Sequence, residues 1–208
     1  MPTKITPWSP SLERALRLAA YGHEGQVRKG SPVPYIEHPV AVAMILDRAG
    51  FEEEVVIAGL LHDLVEDTDV TLDEIRSRFG ESVAETVDAC SEIKLDATGA
   101  KRPWASRKRD HVEALKSATL AARAVTLADK LHNLISIAFD LDDGRPVWST
   151  FNGPREDVLA YYRAMIATCG AGDPRLESLA ELSLRLLDSV EAAPGPDREN
   201  PPEPSLPR

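Results

Sequence analysis

The chain has 208 residues, of which 43% are hydrophobic, 28% charged and 5% aromatic; that suits one domain with a sizeable core and excludes a wholly disordered chain. No apolar run approaches the roughly 18 residues of a membrane helix, residues 1–10 hold no apolar stretch of signal-peptide length, and two cysteines, Cys90 and Cys169, are too few for a disulfide framework or a four-thiolate zinc site, so the expected location is a reducing cytoplasm. The 24 basic and 34 acidic residues leave a net charge of −10, a field that repels nucleic-acid polymers and admits a small anionic substrate only where basic residues cluster locally.

In chain order the pattern is helical throughout. Ser9 and Pro10 form an N-cap and first-turn proline for a helix to about residue 23. Pro39 opens a second helix to about residue 49, and the run EEEVVIAGLLHDLVED predicts a third over 52–67. Thr71 and Glu74 have the spacing of a capping box for a short helix closed near Gly80. Further helices are predicted at 81–91, 105–119, 121–139, 154–169 and 174–191, with loops at 30–34, 93–104 and 142–154. No segment alternates with period two between hairpin turns, and no repeat of solenoid length is present. The expected fold is all-α, a single domain over residues 1–191. Residues 192–208, AAPGPDRENPPEPSLPR, carry six of the sixteen prolines and no aromatic side chain. They read as a disordered tail with nothing to bury.

Two predicted helices carry polar residues where a core helix is apolar. In the third, residues 55–61 are uninterrupted apolar or glycine, and then His62, Asp63, Glu66 and Asp67 follow. At about 100° per residue, His62 shares a face with Glu66, and Asp63 with Asp67. In the 121–139 helix, Leu127, Leu131, Leu134 and Ala138 form an apolar stripe, while Asp129, Asn133 and Ser136 line another face. Buried carboxylates must be paired or bound to a metal. His38, pinned just before Pro39, joins His62, Asp63 and Asp129 as a two-imidazole, two-carboxylate set. That donor mixture suits one divalent ion such as Mn²⁺, Fe²⁺, Zn²⁺ or Mg²⁺, with positions left for water. Any one histidine alone is better read as a satisfied core or cap residue; the adjacent His62-Asp63 pair on a buried helix favours the metal.

The order His38, His62-Asp63, Asp129 resembles the HD superfamily of metal-dependent phosphohydrolases. The blocks GQVRKGSPVPYIEHPVAVA, AGLLHDLVEDT and VTLADKLHNL are similar to the hydrolase domain of RelA/SpoT enzymes, and most of all to the stand-alone small alarmone hydrolases that include the metazoan SpoT homolog. The likeness runs from about residue 10 to residue 190. It implies Mn²⁺-dependent removal of the 3′-pyrophosphate from (p)ppGpp-type or (p)ppApp-type nucleotides. By position it implies His38, His62, Asp63 and Asp129 as metal ligands and Glu66 and Asp67 as the pair handling the attacking water. It further implies Arg28 and Lys29 beside the nucleoside, Asn133 near the ribose and metal, and Ser136 against the nucleoside. Ile135 stands where the family usually has a basic residue after the HNL run, and the stretch through Trp148, Phe151 and Arg155 to Tyr161, Tyr162 and Arg163 is similar to a bacterial subset.

A substrate with several phosphates asks for converging cations: Arg28, Lys29, Lys130, Arg155 and the cluster Lys101, Arg102, Arg107, Lys108 and Arg109. For that cluster a solvated face fits as well as phosphate contact. Gly25 and Gly30 flank Arg28 and Lys29 in a loop suited to close approach of a ligand. His23 and His132 are expected to pack or cap near the site and His111 to be exposed; Trp104 and Trp148 fit the border of the pocket or, more commonly, packing in the core or a lid. Two other enzymes fit the same residues, a phosphatase for another nucleotide such as NADPH and a 5′-nucleotidase of the HD superfamily. A catalytically idle nucleotide-binding module fits less well, because the Glu66–Asp67 pair is intact. The native metal, the base preference and the oligomeric state are not legible.

Overall fold

The computed structural model describes residues 9–193; the 192–208 tail expected from sequence lies, beyond residue 193, outside the described residues. Among the described residues the fold is all-α, with no strand and only two isolated bridges, Val27 with Pro34 and Leu95 with Lys101. The helices are α1 (Pro10–Gly22), α2 (Glu37–Arg48), α3 (Glu53–Leu61), α4 (Leu64–Asp67), α5 (Leu72–Phe79), α6 (Glu81–Cys90), α7 (Trp104–Leu115), α8 (Leu120–Asp142), α9 (Arg155–Cys169) and α10 (Pro174–Ala192), with a 3₁₀ turn at Val147–Thr150. None is long and apolar enough to cross a membrane.

Local chemistry sets several of these ends. The Ser9 hydroxyl accepts the Leu12 N–H, and the Thr71 hydroxyl accepts the Glu74 N–H. The capping box is half built: Glu74 pairs instead with Arg78 at 2.8 Å. Thr119 caps α8 through the Ala122 N–H, so α7 stops at Leu115 rather than running to residue 119. Helix α2 begins at Glu37, two residues before Pro39, which a first turn tolerates because its N–H groups have no intrahelical partner there.

Helix α8 is the axis of the fold, with α2, α3, α6, α9 and α10 packed around it. Its alanines Ala122, Ala124 and Ala128 are fully buried, as are Leu127 and Leu134; the small side chains let neighbouring helices approach while each leucine contributes about 1.5–3 kcal/mol of burial. Gly59 does the same for α2 against α3, since a Cβ there would meet Leu46 Cδ1 at 2.5 Å. The core thus holds α2, α3 and α8 in register, and these carry the polar residues of interest.

One prediction is corrected here. The continuous helix expected over 52–67 stops at Leu61 and restarts at Leu64, with His62 and Asp63 in a turn between. The cause is side-chain competition: the Gly59 carbonyl, the i−4 acceptor that residue 63 would use in a continuing helix, bonds Nδ1 of His62 at 2.9 Å.

Candidate active site

Helix α2 delivers His38, the α3–α4 turn delivers His62 and Asp63, and α8 delivers Asp129. Nε2 of His38 lies 3.4 Å from Asp63 Oδ2 and 3.2 Å from Asp129 Oδ1. Nε2 of His62 lies 3.2 Å from Asp63 Oδ2 and 4.0 Å from Asp129 Oδ1. Ligand atoms of His38, His62 and Asp129 all fall within 4.8 Å of one another. Although Nε2 of His62 is buried and close to Asp63, it makes no hydrogen bond. Its Nδ1–H is spent on the Gly59 carbonyl, so in a neutral ring Nε2 is a bare lone pair facing carboxylate oxygens. A cation between them resolves that repulsion, and two imidazoles with two carboxylates are a suitable donor set for it.

The local charges say the same. Burial opposes protonation of His62, yet Asp63 and then Asp129 overrule it and push the ring up to about 9. Burial alone would raise the Asp63 carboxyl, but His62 and His38 hold it well below the usual carboxylate range. For Asp129, burial is outweighed by the Lys130 charge, whose Nζ is 2.5 Å from Oδ2, and by His38. The carboxylates demand positive charge where the two Nε2 atoms converge, and a divalent ion would supply it with both imidazoles neutral.

These residues sit in a cleft of about 500 Å³ that Glu66, Asp67, Arg28, Lys29, Asn133 and Ser136 also line. Glu66 accepts the Glu92 backbone N–H through Oε1 and lies 3.0 Å from Lys94 Nζ through Oε2. The same ammonium group is 2.9 Å from Asp67 Oδ1. Arg28 donates to Asn133 Oδ1 at 2.8 Å, and Asn133 Nδ2 donates to Asp129 Oδ1. Gly30, at φ +74°, turns the loop behind Lys29 against Thr150, whose Cγ2 would lie 2.7 Å from a Cβ at that position.

Two expectations change on the structure, and two open ones divide. Arg155 does not line the cleft: its guanidinium donates to the carbonyls of Val190, Glu191 and Ala193 at the end of α10 and stacks on Trp148. His111 is buried rather than exposed, with Nδ1 3.2 Å from the Tyr161 hydroxyl and 3.7 Å from Glu92. The 101–109 cluster divides, with Lys101, Arg107 and Lys108 on the cleft, while Arg102 pairs with Asp110 and Arg109 is exposed. Trp104 borders the cleft, whereas Trp148 packs on Phe151. His23 is buried and bonds Gln26, and His132 is bonded to His38.

Sequence reasoning missed Tyr35, whose hydroxyl donates to Asp63 Oδ2 at 2.6 Å, three residues before His38 in the same quoted block. It also missed Glu92 and Lys94. Glu92 is held at about 2, because His111, 3.7 Å away, and the Lys108 charge overrule burial, which would raise it. No local pattern marks either residue; both reach Glu66 only through tertiary packing.

The HD domain family model matches residues 15–146. The chain is 45% identical over 126 residues to guanosine-3′,5′-bis(diphosphate) 3′-pyrophosphohydrolase MESH1 of Mus musculus, a match covering 59% of this chain and 67% of that protein. It is 42% identical over 123 residues to guanosine-3′,5′-bis(diphosphate) 3′-pyrophosphohydrolase of Haemophilus influenzae, covering 56% of this chain and only 17% of that longer protein. A solved structure described as a metazoan ortholog of SpoT that hydrolyzes ppGpp superposes with a TM-score of 0.70 at 27% identity, over 86% of this chain and 97% of that one.

Proposed function

The chain belongs to the HD domain family, and from that premise we propose that it is a metal-dependent hydrolase removing the 3′-pyrophosphate from guanosine-3′,5′-bis(diphosphate)-type nucleotides, adenosine forms included. The observation that carries this reading is the convergence of His38, His62, Asp63 and Asp129 in a cleft that also presents Glu66, Asp67 and a set of lysines and arginines. The names of the relatives, each a 3′-pyrophosphohydrolase, support it.

His38, His62, Asp63 and Asp129 would hold one divalent ion, Mn²⁺ in our reading. Bound there, it supplies Lewis-acid polarisation of a phosphate oxygen and makes water more acidic. Hydrolysis adds water across the bond between the 3′-oxygen and phosphorus: hydroxyl goes to phosphorus, a proton goes to the 3′-oxygen, and pyrophosphate leaves. Glu66 accepts or relays the water proton, and Asp67 shares Lys94 with it, so the two carboxylates are oriented by one ammonium. Arg28, tied to Asn133 and 5.7 Å from the Tyr35 ring, offers a planar guanidinium to the base. Lys29, Lys101 and Lys108 offer cations to the phosphates, and Ser136 a hydroxyl to the nucleoside.

Product analysis tests the proposal. Mn²⁺-loaded protein is incubated with ppGpp, pppGpp, ppApp and NADPH, and free pyrophosphate and orthophosphate are measured separately. Pyrophosphate from the first three is the expected result. Orthophosphate from NADPH alone would replace the reading with a 2′-phosphatase, and no product from any substrate would leave a binding module.

A further inference from the structure

His38 and His62 both turn Nε2 to the carboxylates, but their Nδ1 atoms have different partners. For His62, Nδ1 bonds the carbonyl three residues back, that of Gly59. The corresponding carbonyl for His38 is that of Tyr35, which already accepts the His38 backbone N–H at 2.9 Å. His38 turns instead to α8: its Nδ1 is 2.8 Å from Nδ1 of His132, and Nε2 of His132 is 3.1 Å from Glu37 Oε1. Both rings are buried, and Glu37 is the residue next to His38 on α2.

Proton placement along this line follows from the partners. A carboxylate only accepts, so Nε2 of His132 carries the proton and donates to Glu37. In the neutral ring Nδ1 of His132 is then a lone pair. Two nitrogens 2.8 Å apart bond through one proton, which must sit on Nδ1 of His38. That leaves Nε2 of His38 bare, facing Asp63 and Asp129. Without the acceptor on His132, His38 is free to adopt the other tautomer, whose Nε2–H points at the carboxylates and competes with an ion for them.

We propose that Glu37 and His132 form a relay that fixes the tautomer of His38, making His132 a positioning residue for metal binding; this rests on the metal reading above. Outer partners of a ligating histidine typically contribute 10- to 100-fold in metal affinity.

The test is Mn²⁺ titration of the chelator-treated full chain by calorimetry, with thermal unfolding run in parallel. His132→Phe keeps the ring volume and removes the acceptor, so its Kd should rise roughly 10- to 100-fold. His132→Gln restores an accepting oxygen and should recover most of that affinity. Glu37→Gln still accepts from His132 and should bind as wild type does, whereas Glu37→Leu, at a half-exposed position, should weaken binding without unfolding the chain. Wild-type affinity in both His132→Phe and Glu37→Leu overturns the relay and leaves the metal reading standing. Equal weakening in His132→Phe and His132→Gln also overturns it, since a packing role alone would produce that. If His132→Phe fails to fold, the Glu37 pair decides: equal affinities in its two variants overturn the relay, and weaker binding in Glu37→Leu alone supports it. A wild-type chain without Mn²⁺ affinity removes the metal reading and the relay together.

Discussion

Replacing Glu66 by glutamine separates holding the metal from handling the proton. The side chain is 18% exposed, and its two oxygens have distinct partners: the Glu92 N–H on Oε1 and the Lys94 ammonium at 3.0 Å on Oε2. Glutamine keeps an accepting oxygen for the amide but sets an N–H pair against Lys94. Lys94 is 39% exposed, so the lost ion pair costs about 0.2–1 kcal/mol, or a fall of about 0.4–4 °C in Tm. Loss of a positioned acid–base group lowers turnover roughly 10²–10⁴-fold, and even a hundredfold loss corresponds to about 2.7 kcal/mol of barrier. The structural loss is therefore too small to mimic the catalytic one. The assay is pyrophosphate release at saturating Mn²⁺ and nucleotide, with metal content measured by elemental analysis. Asp67→Asn should behave similarly, and the double variant should be little worse than the poorer single one if both carboxylates act on one water. Wild-type turnover in Glu66→Gln would refute the role given to this carboxylate, and a metal-free variant would make Glu66 a ligand instead.

His62→Ala and Asp63→Ala should each lose metal and activity together; full occupancy in both by elemental analysis would refute the ligand set. Arg155→Ala should lower Tm by a few degrees, because three carbonyls at the end of α10 lose a charged donor, and should leave kcat and KM unchanged. Arg28→Ala should instead raise KM about tenfold or more through the loss of a charged contact to the nucleotide. A KM effect in Arg155→Ala but not in Arg28→Ala would reverse the two assignments. Because Glu92 is depressed from an ordinary value near 4.5 to about 2, its stabilisation is complete above about pH 4.5 and is lost as pH falls toward 2. The Tm gap between wild type and Glu92→Gln should therefore narrow across that window, and a constant gap from pH 7 to pH 3 would refute the pairing.

Helical periodicity made the all-α fold legible, because most of the predicted segments bury one apolar face against α8, and that is the regularity a sequence displays. It failed at His62, where a side chain takes a carbonyl from the helix; spacing alone cannot register such competition. The metal-binding candidates were legible because their residue types are costly to bury, so their presence among leucines asks for a reason. The cations were not, since a sequence gives charge without direction. Arg155 and Arg28 look equivalent as letters, yet one caps α10 and the other faces the cleft. His111 was misjudged for a related reason: it sits in a charged run, but the α7 face that carries it is closed by Tyr161 and Glu92. Glu92, Lys94 and Tyr35 reach the site through packing between segments far apart or differently turned in the chain.

The charge of the whole chain and the charge of the cleft have to be read separately. The chain carries −10, whereas the cleft is lined by seven lysines and arginines against six aspartates and glutamates, a near balance. Most of those cations are already engaged: Lys94 by Glu66 and Asp67, Arg107 and Lys108 by Glu92, Lys130 by Asp129. Among the described residues Arg28, Lys29 and Lys101 line the cleft without an ion-pair partner. Such a cleft is weakly attractive to a nucleotide carrying two diphosphates by its side chains alone. A divalent ion held, as proposed, by His38, His62, Asp63 and Asp129 would shift that balance by two charges in a partly buried setting where each charge counts for more than in water. On the proposed arrangement an ion held there would supply positive charge beside both the water and the scissile phosphate, so that an acidic protein would bind a polyanion at the place where it can hydrolyse it.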